Sequence, residues 1–147
     1  MSSTLEREME IVLKSLKIPF QREYRFRGIS GTRRWRFDFV LGDPDVGLKV
    51  AIEVEGGIWI NGRHTHGGHW FARDCEKYTE AAICSWTVLR YCAHHITTIA
   101  PAQLELMWQI YQESVLREQK AQEKTEQEQA SSGQVGKPRR SAKKKIK

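Results

Sequence analysis

The chain is short of cysteine and of long apolar runs, and both shortages narrow its class. Cys75, Cys84 and Cys92 are an odd count. The opening residues MSSTLEREME hold neither the apolar run nor the cleavage site of a secretory signal. Together these point away from a disulfide framework and toward a reducing, cytoplasmic setting. No stretch approaches the roughly 20 apolar residues of a membrane span, so no membrane partner is expected. No internal repeat is visible. Acid is also missing where base is most concentrated: residues 131–147, SSGQVGKPRRSAKKKIK, carry seven Lys or Arg and no Asp or Glu. The formal charge of the whole chain is +6, so the first 130 residues carry a net −1 and the body is nearly neutral. The tail cations Lys137, Arg139, Arg140, Lys143, Lys144 and Lys145 are therefore either a phosphate-binding arm or a solubility device.

What the 147 residues do contain is enough for one domain with a real core. The expected division is a domain over 1–125 and a disordered basic tail over 126–147. Leu5, Met9, Val12, Leu13 and Leu16 fall on one face of an opening helix, with Ser3 and Glu6 as a capping box. Pro19 ends it, and a strand-like QREYRF follows. After the turn GISGTRR, the segment Trp35 to Leu41 alternates, with Trp35, Phe37, Phe39 and Leu41 on one face and Asp38 on the other. A second strand, Leu48 to Glu55, sets Val50, Ile52 and Val54 against Ala51, Glu53 and Glu55. Residues 56–70 read as one long functional loop. Phe71, Cys75, Tyr78 and Ala82 recur at helical spacing up to about Ser85, Trp86 to Tyr91 reads as another strand, and Pro101 opens a last helix with Leu104, Met107, Trp108, Tyr111 and Val115 inward. Its continuation, REQKAQEKTEQEQ, is polar all round and is expected to fray into the tail. The order predicts an α/β fold, a mixed sheet flanked by helices.

A sheet that places carboxylates beside a core needs a countercharge, because a buried unpaired charge is costly. Glu53 and Glu55 lie on one side of a strand, about 7 Å apart. If the Asp38 strand pairs beside them, three oxygen-rich groups approach one point, which suits Mg²⁺ or Mn²⁺. The alternative is a solvated sheet face. The runs RRWRFDF, VAIEVEGG, GRHTHGGHW and DCEKYTEAAICSWTVLRY together resemble the small phage and bacterial endonucleases of the PD-(D/E)XK superfamily, with very-short-patch repair and Holliday-junction-resolving enzymes as distant relatives. The resemblance covers roughly residues 5–115 and implies a restriction-endonuclease-like fold and metal-dependent hydrolysis of DNA; whether the chain pairs as a homodimer stays open. Position by position, it makes Asp38 and Glu53 the metal carboxylates. Glu55 stands where many members carry a lysine and is counted here as a third metal and catalytic carboxylate.

That departure makes Lys77, on the following helix, the candidate for a relocated lysine; the other reading pairs it with Arg73, Asp74 or Glu80. Glu6 matches a helix-one glutamate that joins the metal in some relatives, and equally serves its capping box. Arg34 and Arg36 would hold backbone phosphates. The resemblance also places His64 or His66 over the centre to polarise the phosphate or leaving group. His64, His66, His69 and Cys75 match no closed zinc pattern, and His94 and His95 read as cap or surface residues. Two other functions stay open: an inactive nuclease-fold module that only binds DNA, and a zinc-dependent hydrolase using the histidine loop.

Overall fold

The computed structural model describes residues 3–29, 31, 34–56 and 68–132, with the side chains of 68–70 and 132 left aside. Helix α1 (Thr4–Ser15) begins on the expected capping box: the Ser3 hydroxyl accepts from the Glu6 N–H, and the Glu6 carboxylate accepts from the Ser3 N–H. It buries Met9 and Leu13 completely. Three strands follow, β1 (Phe20–Arg27), β2 (Arg34–Leu41) and β3 (Lys49–Glu55), then helix α2 (Gly68–Ile83), strand β4 (Trp86–Cys92), and helices α3 (Ala93–Thr98) and α4 (Ala100–Ser132). The sheet order is β1-β2-β3-β4, antiparallel across the first two pairings and parallel across the last. The protein is thus a mixed α/β fold with a four-stranded mixed sheet covered by helices on both faces.

One face packs Phe39, Leu41, Val50 and Ile52 against Met9 and Leu13 of α1, Ile96 of α3 and Leu104 of α4. The other packs Phe26, Trp35, Phe37, Val40 and Ala51 with Ala81 of α2 and with Trp86. The four apolar side chains of β2 therefore do not share a face, as strict alternation predicts. Trp35 and Phe37 go to the α2 side, Phe39 and Leu41 to the α1 side. The change of side falls at Asp38, whose carboxylate takes the Val54 N–H. Glu23, opposite it by register, sits at a φ of 54°, rare for a residue with a Cβ. The regular β2–β3 pairing is confined to Phe39↔Ile52 and Val40↔Ala51.

Three other expectations are corrected. The residues read as the last part of the long loop, 68–70, already belong to α2. Of the expected α2 stripe Phe71, Cys75, Tyr78 and Ala82, only Tyr78 lies on the inner face; the other three are exposed, and the inner face is completed by Asp74, Lys77 and Ala81. Helix α4 runs through residues 126–132, which the sequence pattern places in the tail. Its polar extension is rich in Gln, Glu, Lys and Ala, good helix formers, and carries Glu113–Arg117 and Lys124–Glu128 pairs four residues apart. The basic residues Lys137, Arg139, Arg140, Lys143, Lys144 and Lys145 lie outside the described residues. Among the described residues no helix is long and apolar enough to cross a membrane.

Helix α4 also anchors the β2–β3 turn. Tyr111 donates to the Asp43 carbonyl and accepts from its N–H, while Ser114 and Glu118 accept from the Leu48 and Gly47 N–H groups. Gly42 makes this approach feasible. Its φ is +60°, and a Cβ there would meet the Tyr111 ring at 2.5 Å. Gly42→Ala should cost about 2–4 kcal/mol, through backbone strain and displacement of the ring, measured as a shift in the urea midpoint at unchanged slope. An unchanged midpoint would show that the turn docks elsewhere.

Candidate metal centre

Strands β2 and β3 and helix α2 bring three of the expected residues together. Glu53 is 9% exposed. Its neighbours in the strand, Ala51 and Ile52, are fully buried, so it sits inside the layer between sheet and helix rather than on a solvated face. Lys77 reaches it from the inner side of α2, with Nζ 2.6 Å from Glu53 Oε1 and both side chains nearly excluded from solvent. The same ammonium lies 5.3 Å from the centre of the Phe37 ring. Lys77 therefore turns inward to the strand, and Glu80, one of the surface partners considered for it, instead accepts from the Ile29 N–H.

Asp38 completes the group from β2. It is half-buried, and its Oδ2 accepts from the Val54 N–H at 2.8 Å, an amide that regular pairing would have given to a backbone carbonyl. Burial raises the Asp38 carboxyl above its ordinary range; the Val54 N–H and Lys77 oppose this, and Glu6 and Glu23 add to it. Burial likewise pushes Glu53 up, from 4.5 to about 7, against the pull of Lys77, with Asp38 and Glu55 adding repulsion. One ammonium thus serves a buried and a half-buried carboxylate that repel one another. Hard oxygens short of positive charge are the donor chemistry that fits a divalent cation.

Glu55 is differently engaged. Its Oε1 takes Arg90 through Nε and a terminal nitrogen, both at 2.7 Å, and the Tyr78 hydroxyl at 3.2 Å. The Arg90 guanidinium stacks over Tyr78, 4.3 Å from the ring centre. Burial, and then Glu53 and Glu55, raise the Tyr78 hydroxyl well above its usual range, so it stays protonated and donates to Glu55. Among the described residues no three His, Cys, Asp or Glu side chains converge on one point. Glu6 caps its own helix and pairs with Arg22 at 3.1 Å. His64 and His66 lie outside the described residues, as does the His69 side chain, while His94 and His95 belong to the short α3.

Beside the pair opens a cleft lined by Arg34, Trp35, Arg36, Arg73, Asp74 and Lys77. It joins the two arginines of β2 to the lysine of α2. Sequence reasoning places none of Arg90, Tyr78 and Arg73 at the site. Arg90 could have been found as the cation following the apolar VL of β4, and register sets it beside Glu53. Arg73 lies one helical turn before Lys77, a spacing that sequence alone does not separate from an ordinary solvated face.

No family model, no curated protein and no solved structure matches this chain.

The geometry makes stability depend on pH in a definite direction. The raised Glu53 carboxyl means that the folded chain holds a proton the unfolded chain releases, so its contribution is fully present below about pH 4.5 and is lost as pH rises through about 7. In chelator, the wild type should lose stability between pH 5 and 8, by up to about 3 kcal/mol from this group. Glu53→Gln should flatten that part of the profile in chemical denaturation. A profile of equal slope in both proteins would mean that Glu53 titrates as an ordinary solvated carboxylate.

Proposed function

We propose that this chain is a divalent-metal-dependent DNA endonuclease of the PD-(D/E)XK, restriction-endonuclease-like kind, with Mg²⁺ or Mn²⁺ as its ion. The observation that carries the reading is the Lys77–Glu53 pair at 2.6 Å, buried beside Asp38. A lysine delivered from α2 to the second carboxylate supplies the cation that the residue at position 55 lacks. A buried ion pair is a weak source of stability, since desolvation offsets attraction, and carboxyls raised by burial beside a specific charge partner mark a candidate working site. Helices on both faces of a mixed sheet, with the acidic residues on adjacent strands, are compatible with the fold that the resemblance implies.

Asp38 and Glu53 would hold the cation through carboxylate oxygens. When bound, the ion neutralises charge on the phosphate and acidifies a coordinated water. Lys77 has three N–H donors. One holds Glu53 in place, and the others are directed to the attacking water and to the phosphate, where negative charge grows as the P–O bond breaks. The Glu55–Arg90–Tyr78 cluster positions α2 against β3, so that Lys77 keeps its reach. Phe37 beneath the ammonium keeps bulk water from the pair, which strengthens every charge interaction there. Arg34 and Arg36 lie along the cleft as phosphate holders.

The test is cleavage of a panel of linear, nicked and four-way-junction DNA with Mg²⁺ or Mn²⁺ and with chelator. Wild type should cut in metal and not in chelator, and Asp38→Asn and Glu53→Gln should each remove cleavage while remaining folded. Lys77→Ala should lower turnover by a factor of about 10² or more, on the scale of lost electrostatic stabilisation of a transition state, with metal affinity little changed. Cutting that survives both carboxylate substitutions would contradict the assignment.

A further inference from the structure

The β1–β2 hairpin carries charge in an arrangement that the catalytic group does not explain. Residues 20–36 hold six arginines and one acid, Glu23. Since residues 1–130 carry a net −1, the rest of them carries −6, and the positive charge of the body is concentrated in this hairpin. Register places Arg25 directly across from Arg36, and Arg27 directly across from Arg34. All four are exposed, while Phe26 and Trp35 between them are buried against Trp86. Like charges directly opposite on neighbouring strands destabilise a sheet. Edge protection accounts for cations on β1, the edge strand, but not for their being matched by arginines on β2. An acid there would protect as well and would attract.

We infer that these paired arginines form a clamp for the phosphate backbone of duplex DNA, feeding the strand toward the cleft beside Lys77. The inference rests on the nuclease reading for its direction, not for its chemistry. Each pair presents two guanidinium forks to one phosphate, and the pairs follow one another at about 7 Å along the ribbon. Arg36 also pairs with Glu23, which holds it extended along the hairpin. A duplex is favoured over a single strand because Phe26, Trp35 and Phe37 are all buried, so the hairpin offers none of these rings to unpaired bases. The β1 residues Arg25 and Arg27 are thereby assigned a binding role that their position away from the acidic group conceals.

Binding of a short labelled DNA duplex in chelator, over a series of salt concentrations, tests this without requiring cleavage. R25Q/R27Q should bind more weakly, with the slope of log K against log salt reduced by about 1 to 2, at about 0.9 for each phosphate no longer neutralised. Its melting temperature should not fall, because repulsion is relieved. R117Q/K120Q, which removes the same charge from exposed positions on α4, should leave the slope nearly unchanged. Equal effects of the two double variants, a fall in melting temperature with R25Q/R27Q, or tighter binding of a single strand than of the duplex would each overturn the clamp. A wild type that binds in this way and never cuts would contradict the nuclease reading and leave the clamp standing.

Discussion

The structure turns on a shortage of positive charge: two carboxylates, the buried Glu53 and the half-buried Asp38, share the one ammonium of Lys77. Continuing the β2–β3 ladder would leave Asp38 on the helix-covered side without a partner. Instead its carboxylate takes the Val54 N–H, the strand changes side, and Trp35 and Phe37 cross to the α2 face. That crossing builds the apolar floor on which Lys77 rests. Helix α2, connecting the parallel strands β3 and β4, is in turn held by Tyr78 on Glu55 and by Glu80 on the hairpin. The residues of the proposed centre and the packing around it are therefore one arrangement, and a change in Asp38 bears on both.

This coupling explains which parts of the protein can be read from residues alone. Period-two alternation locates β2 and β3 and places Glu53 and Glu55 on one side, because those features depend on neighbours in sequence. The capping box at Ser3 and Glu6 is legible for the same reason. The switch at Asp38 is not, since it depends on an amide 16 residues away. Periodicity locates helix α2 correctly but not its inner face. An apolar criterion selects Phe71, Cys75, Tyr78 and Ala82, of which only Tyr78 turns to the sheet; beside it the helix turns in a lysine, and carboxylates receive both. Helix α3 escapes a sequence reading because six residues rich in histidine and threonine give little periodicity.

Lys77 illustrates the gap between candidate and site. Its spacing allows a surface pair within α2 or a long reach to the sheet, and only the packing of α2 over Phe37 decides between them. Glu55 is the converse case. Two residues from Glu53 on the same strand, it looks equivalent in sequence, yet Arg90 and Tyr78 satisfy it and leave Asp38 and Glu53 as the charge-deficient pair. This difference in local charge balance is what separates candidate ligands from positioning residues.

The central claim is that Asp38 and Glu53 together hold a divalent cation, and calorimetric titration of Mn²⁺ at about pH 6.5 in buffers of different ionisation enthalpy tests it most directly. A Glu53 carboxyl near 7 is partly protonated there and must release its proton when metal binds. The account predicts saturable binding with proton release in the wild type, loss of the proton release in Glu53→Gln, and loss of affinity in both that variant and Asp38→Asn. Binding without proton release, or of equal affinity in all three proteins, would contradict it.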